Sequence, residues 1–203
     1  MTTTKRMIGV VVATACVALV MAMAQQVPAP QITIGGKPAD LKLQTLAGTP
    51  APLQSLGAQN GALLIFIATK CPVSNAYNER MAALAKDYAS RGFAVIGINP
   101  NVTEPADEVS KHAAANGLTF TIVKDPGNIV ADYFGASFTP EVYLFDKTWT
   151  LRYHGRIDDS RNPANITSQD ARAAMDALQA GKPVPVAETK AFGCTIKRAA
   201  KAS

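Results

Sequence analysis

Cys71 is the residue whose type and setting most strongly indicate chemistry. A short apolar run over residues 62–68 predicts a buried strand just before it, and Pro72 suits the first turn of a helix just after it. A thiol at such a junction faces unpaired backbone N–H groups and the positive end of the helix dipole, which favour the thiolate. Lys70 adds a positive charge if its side chain points toward the sulfur. A thiolate is the nucleophile of thiol–disulfide exchange and of hydroperoxide reduction.

A free cysteine is often only a small buried hydrophobe. At a strand-to-helix junction followed by proline, however, the setting favours a reactive thiol. This interpretation requires that a helix follows Cys71 and that its side chain is not sealed inside the core.

The first residues have the pattern of an export signal. Lys5 and Arg6 precede an apolar run over residues 7–21, which is shorter than the ~20 residues that a membrane-spanning helix needs. Ala22-Met23-Ala24 offers the small-x-small pattern of a cleavage site. We therefore expect residues 1–24 to be a removable signal, cleaved near Ala24, and the mature protein to be periplasmic or secreted. An uncleaved N-terminal anchor is the alternative; in either case this segment is the only membrane contact that we predict.

Export changes the interpretation of the three cysteines. Cys16 would leave with the signal, so the mature chain would keep Cys71 and Cys194. Disulfides persist in oxidising compartments, so the two could pair. The sequence alone does not show that they meet.

The rest of the chain predicts one α/β domain. Residues 25–37 look like a leader, residues 38–181 like the domain and residues 182–203 like a tail without periodicity. Alternating patterns imply a mixed, mostly parallel sheet with helices on both faces and an antiparallel pair at one side. We predict strands at residues 41–46, 62–68, 93–99, 120–123, 141–145 and 151–157, and helices at residues 73–91, 104–116, 128–134 and 167–179.

Two motifs resemble a known family. The sequence FIATKCPVS, from Phe66 to Ser74, resembles the active-site turn of the thioredoxin-like superfamily, and in particular of redoxins, the alkyl hydroperoxide reductase and thiol-specific antioxidant (peroxiredoxin-like) proteins. The sequence FTPE, which contains Thr139 and Pro140, resembles the loop that carries the cis-proline of that superfamily. The resemblance implies a thioredoxin-like fold and antioxidant or redox chemistry. It also implies a cis Pro140 that holds the backbone of Thr139 beside the sulfur, where an extended partner chain could pair with it.

The chain departs from the family at two positions. Dithiol members carry Cys-x-x-Cys, whereas Ser74 occupies the second cysteine position here. Ser74 cannot resolve a mixed disulfide, but it could donate a hydrogen bond to a Cys71 thiolate or serve simply as a helix residue. Typical peroxiredoxins place threonine three residues before the reactive cysteine, and this chain has Ala68.

Two routes to a complete reaction cycle therefore stay open. Cys194 could be the resolving thiol if the tail folds back over the domain, with Gly193 easing the close approach. Otherwise an outside thiol resolves a mixed disulfide at Cys71.

Arg156 is a further candidate, because a guanidinium near a cysteine stabilises the thiolate and can orient a peroxide. The alternative is a surface salt bridge with Asp158 or Asp159. We expect His112 and His154 to be structural.

Other chemistries find little support in the sequence. No cluster of ligands has the spacing of a metal site, and no glycine-rich loop opens a helix as phosphate binding requires. We therefore predict no metal and no cofactor. The net charge is +5, of which Lys5 and Arg6 contribute two. The basic residues at the end of the chain fit a solvated tail better than a nucleic-acid patch.

Two functions from different classes remain. The first is an oxidoreductase that uses Cys71 on protein thiols and disulfides or on small hydroperoxides, with an external thiol as reductant. The second is a non-catalytic binding module that holds a partner chain at the groove formed by Thr139 and Pro140.

Overall fold

The computed structural model describes residues 32–200. The predicted signal, Cys16 and most of the predicted leader lie outside the described residues. Within residues 32–200, no helix combines the length and the apolar character that crossing a membrane requires.

The described residues form nine strands and five helices, in the order that the patterns predicted, with three short strands added. The strands are β1 (Lys42–Thr45), β2 (Pro50–Pro52), β3 (Gly61–Phe66), β4 (Phe93–Asn99), β5 (Thr121–Lys124), β6 (Phe138–Thr139), β7 (Glu141–Asp146), β8 (Leu151–Gly155) and β9 (Cys194–Thr195). The helices are α1 (Pro72–Asn75), α2 (Asn78–Ala89), α3 (Ala106–Ala115), α4 (Ile129–Phe134) and α5 (Asp170–Gln179).

The sheet is mixed, with one group of strands in the order β2-β1-β5-β4 and another in the order β3-β7-β8. The N–H of Ile67 donates to the carbonyl of Ile98 (2.8 Å) and joins the two groups. Among the registered pairings of residues 32–200, β4 with β5 is the parallel one and the others are antiparallel. The α/β class with a mixed sheet is confirmed, but the expected majority of parallel pairings is not observed. The tight turn from β7 to β8 forces an antiparallel pair, and β1 runs antiparallel to both of its neighbours.

The sheet buries both of its faces. Along β3, Leu63 and Ile65 pack with apolar side chains of α2, α3 and α5, whereas Leu64 and Phe66 pack with side chains of α4 on the other face. This explains why the whole of β3 is apolar, since a strand covered on both sides has no polar face. Burying each such side chain contributes about 1.5–3 kcal/mol. The end of β3, and therefore the turn before Cys71, is firmly anchored.

The helix after Cys71 is interrupted. The sequence predicted one helix over residues 73–91, but α1 ends at Asn75 and α2 begins at Asn78. At the break, Tyr77 is buried, and its hydroxyl donates to Asp158 (2.8 Å). The requirement that a helix follows Cys71 is met by one short helix rather than by the long one.

The described part of the predicted tail is packed on the domain. Residues 187–189 exchange backbone hydrogen bonds with His154, and β9 pairs with β6. Arg198 is largely buried and forms a salt bridge with Asp132 (2.8 Å), so it is not a solvated charge. The sequence did not predict this packing, because a strand as short as β9 has no detectable periodicity.

Candidate functional site

Cys71 occupies the N-cap position of α1. The backbone N–H of Ser74 donates to Cys71 Sγ (3.2 Å), and Pro72 takes the first helical position, where its missing N–H leaves no donor unpaired. A hydrogen bond to the sulfur favours its charged form. The local geometry can therefore hold Cys71 as a thiolate once the residue is reduced.

Ser74 contributes to this geometry through its backbone. Its buried hydroxyl accepts a hydrogen bond from the N–H of Ala68 (3.2 Å) and ties the end of the β3 segment to α1. The contact with the sulfur comes from the N–H, so the expected hydroxyl donation to Cys71 is not what the structure has.

Cys71 and Cys194 form a disulfide, with their Cα atoms 5.8 Å apart and a sequence separation of 123. Gly193 makes the approach possible. A Cβ at this position would lie 2.7 Å from the carbonyl carbon of Thr139 and closer still to its oxygen. The tail thus folds back over the domain, as the first of the two routes requires.

The two sulfur-bearing residues differ in exposure. Cys71 is 3% exposed, whereas Cys194 is only partly buried. Cys71 belongs to neither of the two apolar clusters of the core, and α1 lies against β9, the strand of its disulfide partner. Cys71 is thus almost fully buried in the oxidised protein, next to the strand that carries its disulfide partner.

The bond between Thr139 and Pro140 is cis, as the resemblance implied. The carbonyl oxygen of Thr139 lies 3.2 Å from Cys71 Sγ, within reach of a thiol proton when the cysteine is reduced. β6 pairs antiparallel with β9, so that Thr139 faces Cys194 and Phe138 faces Thr195. The groove expected for a partner chain is thus occupied by the chain's own residues in the oxidised protein.

Glu104 is a site residue that the sequence reasoning missed. Its carboxylate is 1% exposed and accepts hydrogen bonds from the backbone N–H groups of Thr69 (2.8 Å) and Lys70 (3.1 Å), which directly precede Cys71. The side-chain amides of Asn99 and Asn101 also donate to it. Burial alone would raise the pKa of Glu104, but these donors outweigh burial and the pKa lies below its usual value. The available signal was a group of polar residues just after the buried strand β4.

Asn101 extends this network to the cysteine on the tail. Its side-chain oxygen accepts a hydrogen bond from the N–H of Lys197 (2.7 Å), three residues after Cys194. Glu104 and Asn101 therefore connect the segments that carry the two cysteines.

Lys70 does not direct its charge to the sulfur. Its ammonium group forms a salt bridge with Glu108 (2.8 Å) and donates to the carbonyl of Thr103 (3.0 Å). The hydrogen bond with Glu108 raises the pKa of Lys70.

Arg156 also has another partner. Its guanidinium forms a salt bridge with Asp170 (2.7 Å) at the start of α5, rather than with Asp158 or Asp159. Asp158 is instead bound by Arg80 (2.6 Å). Within residues 32–200 we find no hydrogen bond between Arg156 and the cysteine pair, so its expected role beside the sulfur has no support in the geometry.

Glu141 is a second buried carboxylate that the sequence reasoning missed. It accepts hydrogen bonds from the N–H groups of Ser137 (2.8 Å) and Phe138 (2.9 Å) and so anchors the loop before Pro140. One of its oxygens lies 2.8 Å from Nε2 of His154. In the part of the chain that the structure describes, no three His, Cys, Asp or Glu side chains are grouped closely enough to hold a metal ion.

Known proteins are similar to this chain in sequence. The AhpC/TSA family model matches residues 34–154, which include Cys71 and Pro140 but end before Cys194. The thioredoxin-like protein YneN of Bacillus subtilis is 33% identical over 119 residues, covering 58% of this chain and 68% of that protein. Thiol-disulfide oxidoreductase ResA of Geobacillus thermodenitrificans is 30% identical over 121 residues, covering 60% of this chain and 68% of that protein.

A solved structure extends the likeness over most of the chain. A hypothetical protein of Sinorhizobium meliloti, SMc02350, superposes with a TM-score of 0.76 at 35% identity, covering 84% of this chain and 97% of that one. The fold is thioredoxin-like.

Proposed function

Because this chain belongs to the AhpC/TSA family, we propose that it is a thiol–disulfide oxidoreductase whose reactive pair is Cys71 and Cys194. Membership of this family supports an oxidoreductase activity in general. The observation that carries the finer proposal is the disulfide between these two residues beside the cis-proline loop. A reversible disulfide at this place accepts two electrons when it is reduced and returns them when it forms again.

The proposed reaction is exchange with protein thiols or disulfides. A thiolate of the partner attacks one sulfur of the Cys71–Cys194 bond, a mixed disulfide forms, and the other cysteine departs as a thiolate. The second thiolate of the partner then attacks the partner's own sulfur in the mixed disulfide, which releases the protein's cysteine. The partner leaves oxidised, the protein is reduced by two electrons, and the reverse sequence oxidises it again.

Reduction of small hydroperoxides receives less support from the site. Ala68 stands where typical peroxiredoxins have threonine, and the guanidinium of Arg156 is held by Asp170. Hydroperoxide turnover is therefore the competing outcome of the test rather than part of the proposal.

The place of the reaction follows from the predicted export signal. Removal of residues 1–24 would leave the domain in the periplasm or outside the cell, where disulfides persist. We propose that the protein works there, with an external thiol partner completing the cycle.

A direct experiment follows the two cysteines through their tryptic peptides. Cleavage after Lys70 and Lys190 releases peptides 71–80 and 191–197, each with one cysteine. The full chain is equilibrated in glutathione buffers of known ratio, quenched with acid and alkylated. We expect one linked peptide pair in oxidising buffer and two alkylated peptides in reducing buffer.

Turnover separates an enzyme from a binding module. We expect the protein to accelerate the reduction of insulin disulfides by dithiothreitol, and both Cys71→Ser and Cys194→Ser to abolish the acceleration. The pH profile of Cys71 alkylation in Cys194→Ser should give a pKa below the usual thiol value of about 8.5. Turnover that survives Cys71→Ser, or a faster reaction with hydrogen peroxide than with insulin, would contradict the proposal. An inert thiol without turnover would favour the binding module.

A further inference from the structure

The two sulfurs of the disulfide are not equivalent targets for an incoming thiol. Attack on a disulfide sulfur requires the attacker, the attacked sulfur and the departing sulfur to lie in line, and it depends on access to the attacked sulfur. Cys71 is 3% exposed, and its sulfur has the N–H of Ser74 and the carbonyl oxygen of Thr139 each 3.2 Å away. In the folded, oxidised protein an attacker therefore has little access to the sulfur of Cys71. Cys194 is only partly buried and lies in the two-residue strand β9.

The environments also differ in how well they hold a departing thiolate. Cys71 Sγ keeps the hydrogen bond from the N–H of Ser74 when the disulfide opens, because this N–H belongs to α1 and not to the tail. Among residues 32–200 we find no hydrogen-bond donor to the sulfur of Cys194. The better stabilised thiolate is the better leaving group. Access and leaving-group stability therefore both favour attack on the sulfur of Cys194 with departure of the sulfur of Cys71.

We infer that reduction of the oxidised protein begins at Cys194, which receives the incoming thiol, while Cys71 departs as the thiolate. This inference rests on the proposed function and specifies its first step. A new S–S bond forms between the partner and Cys194, the Cys71–Cys194 bond breaks, and its electron pair stays on Cys71. A second thiolate of the partner attacks the partner's sulfur, Cys194 is released with the second electron pair, and the partner leaves as a disulfide.

This order gives the tail segment a direct part in partner recognition. The partner's first covalent contact is with Cys194 in β9. In the oxidised protein this strand pairs with β6, where Cys194 lies opposite Thr139. A monothiol would accordingly leave its adduct on the tail and not on α1.

The experiment reads the adduct site on the oxidised full-length protein. The protein is exposed briefly to glutathione, quenched with acid, alkylated with N-ethylmaleimide at low pH and digested with trypsin. We expect glutathione on peptide 191–197 and N-ethylmaleimide on peptide 71–80, with at least about a tenfold excess over the reverse arrangement. As a control, the same reaction in denaturing urea should distribute glutathione nearly evenly, because both sulfurs are then exposed.

Each other outcome is decisive. Glutathione mainly on peptide 71–80, or an even distribution in the folded protein, would overturn the order of attack while leaving the proposed function intact. A folded protein whose disulfide does not exchange with glutathione at all would overturn the proposed function as well.

Discussion

Reduction of the Cys71–Cys194 disulfide should destabilise the fold strongly, because the bond closes a long loop. The two residues are 123 positions apart. A cross-link restricts the unfolded chain by an entropy of about 2.1 plus 1.5R ln n cal/mol/K, where n is the loop length. For this separation the expression amounts to roughly 16 cal/mol/K, or about 5 kcal/mol at 25 °C. Residual structure in the unfolded chain would reduce the loss, so this figure is its upper limit.

The assay is equilibrium unfolding in urea, followed by circular dichroism with and without a phosphine reductant. We expect reduction to lower the free energy of unfolding by about 3–5 kcal/mol and the melting temperature by roughly 6–20 °C for a domain of this size. The variant with both Cys71→Ser and Cys194→Ser provides the control. It should resemble the reduced protein and should not respond to the reductant.

The loop-entropy explanation predicts a minimum difference in stability between the oxidised and the reduced protein. A difference below about 1 kcal/mol between oxidised and reduced protein, with the disulfide verified on the tryptic peptides, would refute it. Such a result would mean that the tail and the domain remain close in the unfolded chain, so that the bond removes little entropy.

Three further predictions concern residues around the site. Gly193→Ala should lower the equilibrium constant for disulfide formation by about tenfold or more, because its Cβ would overlap the carbonyl of Thr139; glutathione equilibration measures this. Glu104→Gln should cost about 1–3 kcal/mol at neutral pH, since one carboxylate oxygen becomes an NH2 group and the backbone N–H that faces it loses its acceptor. The folded state lowers the pKa of Glu104, so its contribution is present above pH 4.5 and is lost as the pH falls below that value; urea unfolding from pH 7 to 3 should show a smaller decline in the variant. Asp158→Asn should cost about 3–5 kcal/mol in urea unfolding, because it leaves the largely buried Arg80 without its anion.

Matched substitutions test whether these effects come from the stated contacts. Gly181→Ala lies at a left-handed position with no atom near its Cβ, so it should affect stability without shifting the disulfide equilibrium. Asp107→Asn breaks an exposed pair with Lys111 and should leave the free energy of unfolding nearly unchanged, because solvent screens such pairs. Equal effects in a variant and its control, or a steeper pH dependence in Glu104→Gln, would contradict the explanations above.

The local features of the site could be predicted from the sequence because they depend on neighbouring residues. The continuous apolar run before Cys71 indicated a strand covered on both faces, and β3 is buried along its whole length. The proline after Cys71 indicated the start of a helix, and α1 begins there. The resemblance of the FTPE motif implied the cis Pro140, which a residue pattern alone does not specify.

The tertiary structure decided which distant residues meet. Cys194 has no periodic pattern around it, and its pairing with Cys71 depends on the path of the tail across β6. The partner of Arg156 was predicted from nearby carboxylates but is Asp170, which α5 brings alongside. Glu104 reaches the Cys71 turn from another strand end, since β4 lies beside β3 in the sheet. Sequence patterns report local periodicity and burial, whereas these contacts depend on strand order and chain path, which are set by packing over the whole domain.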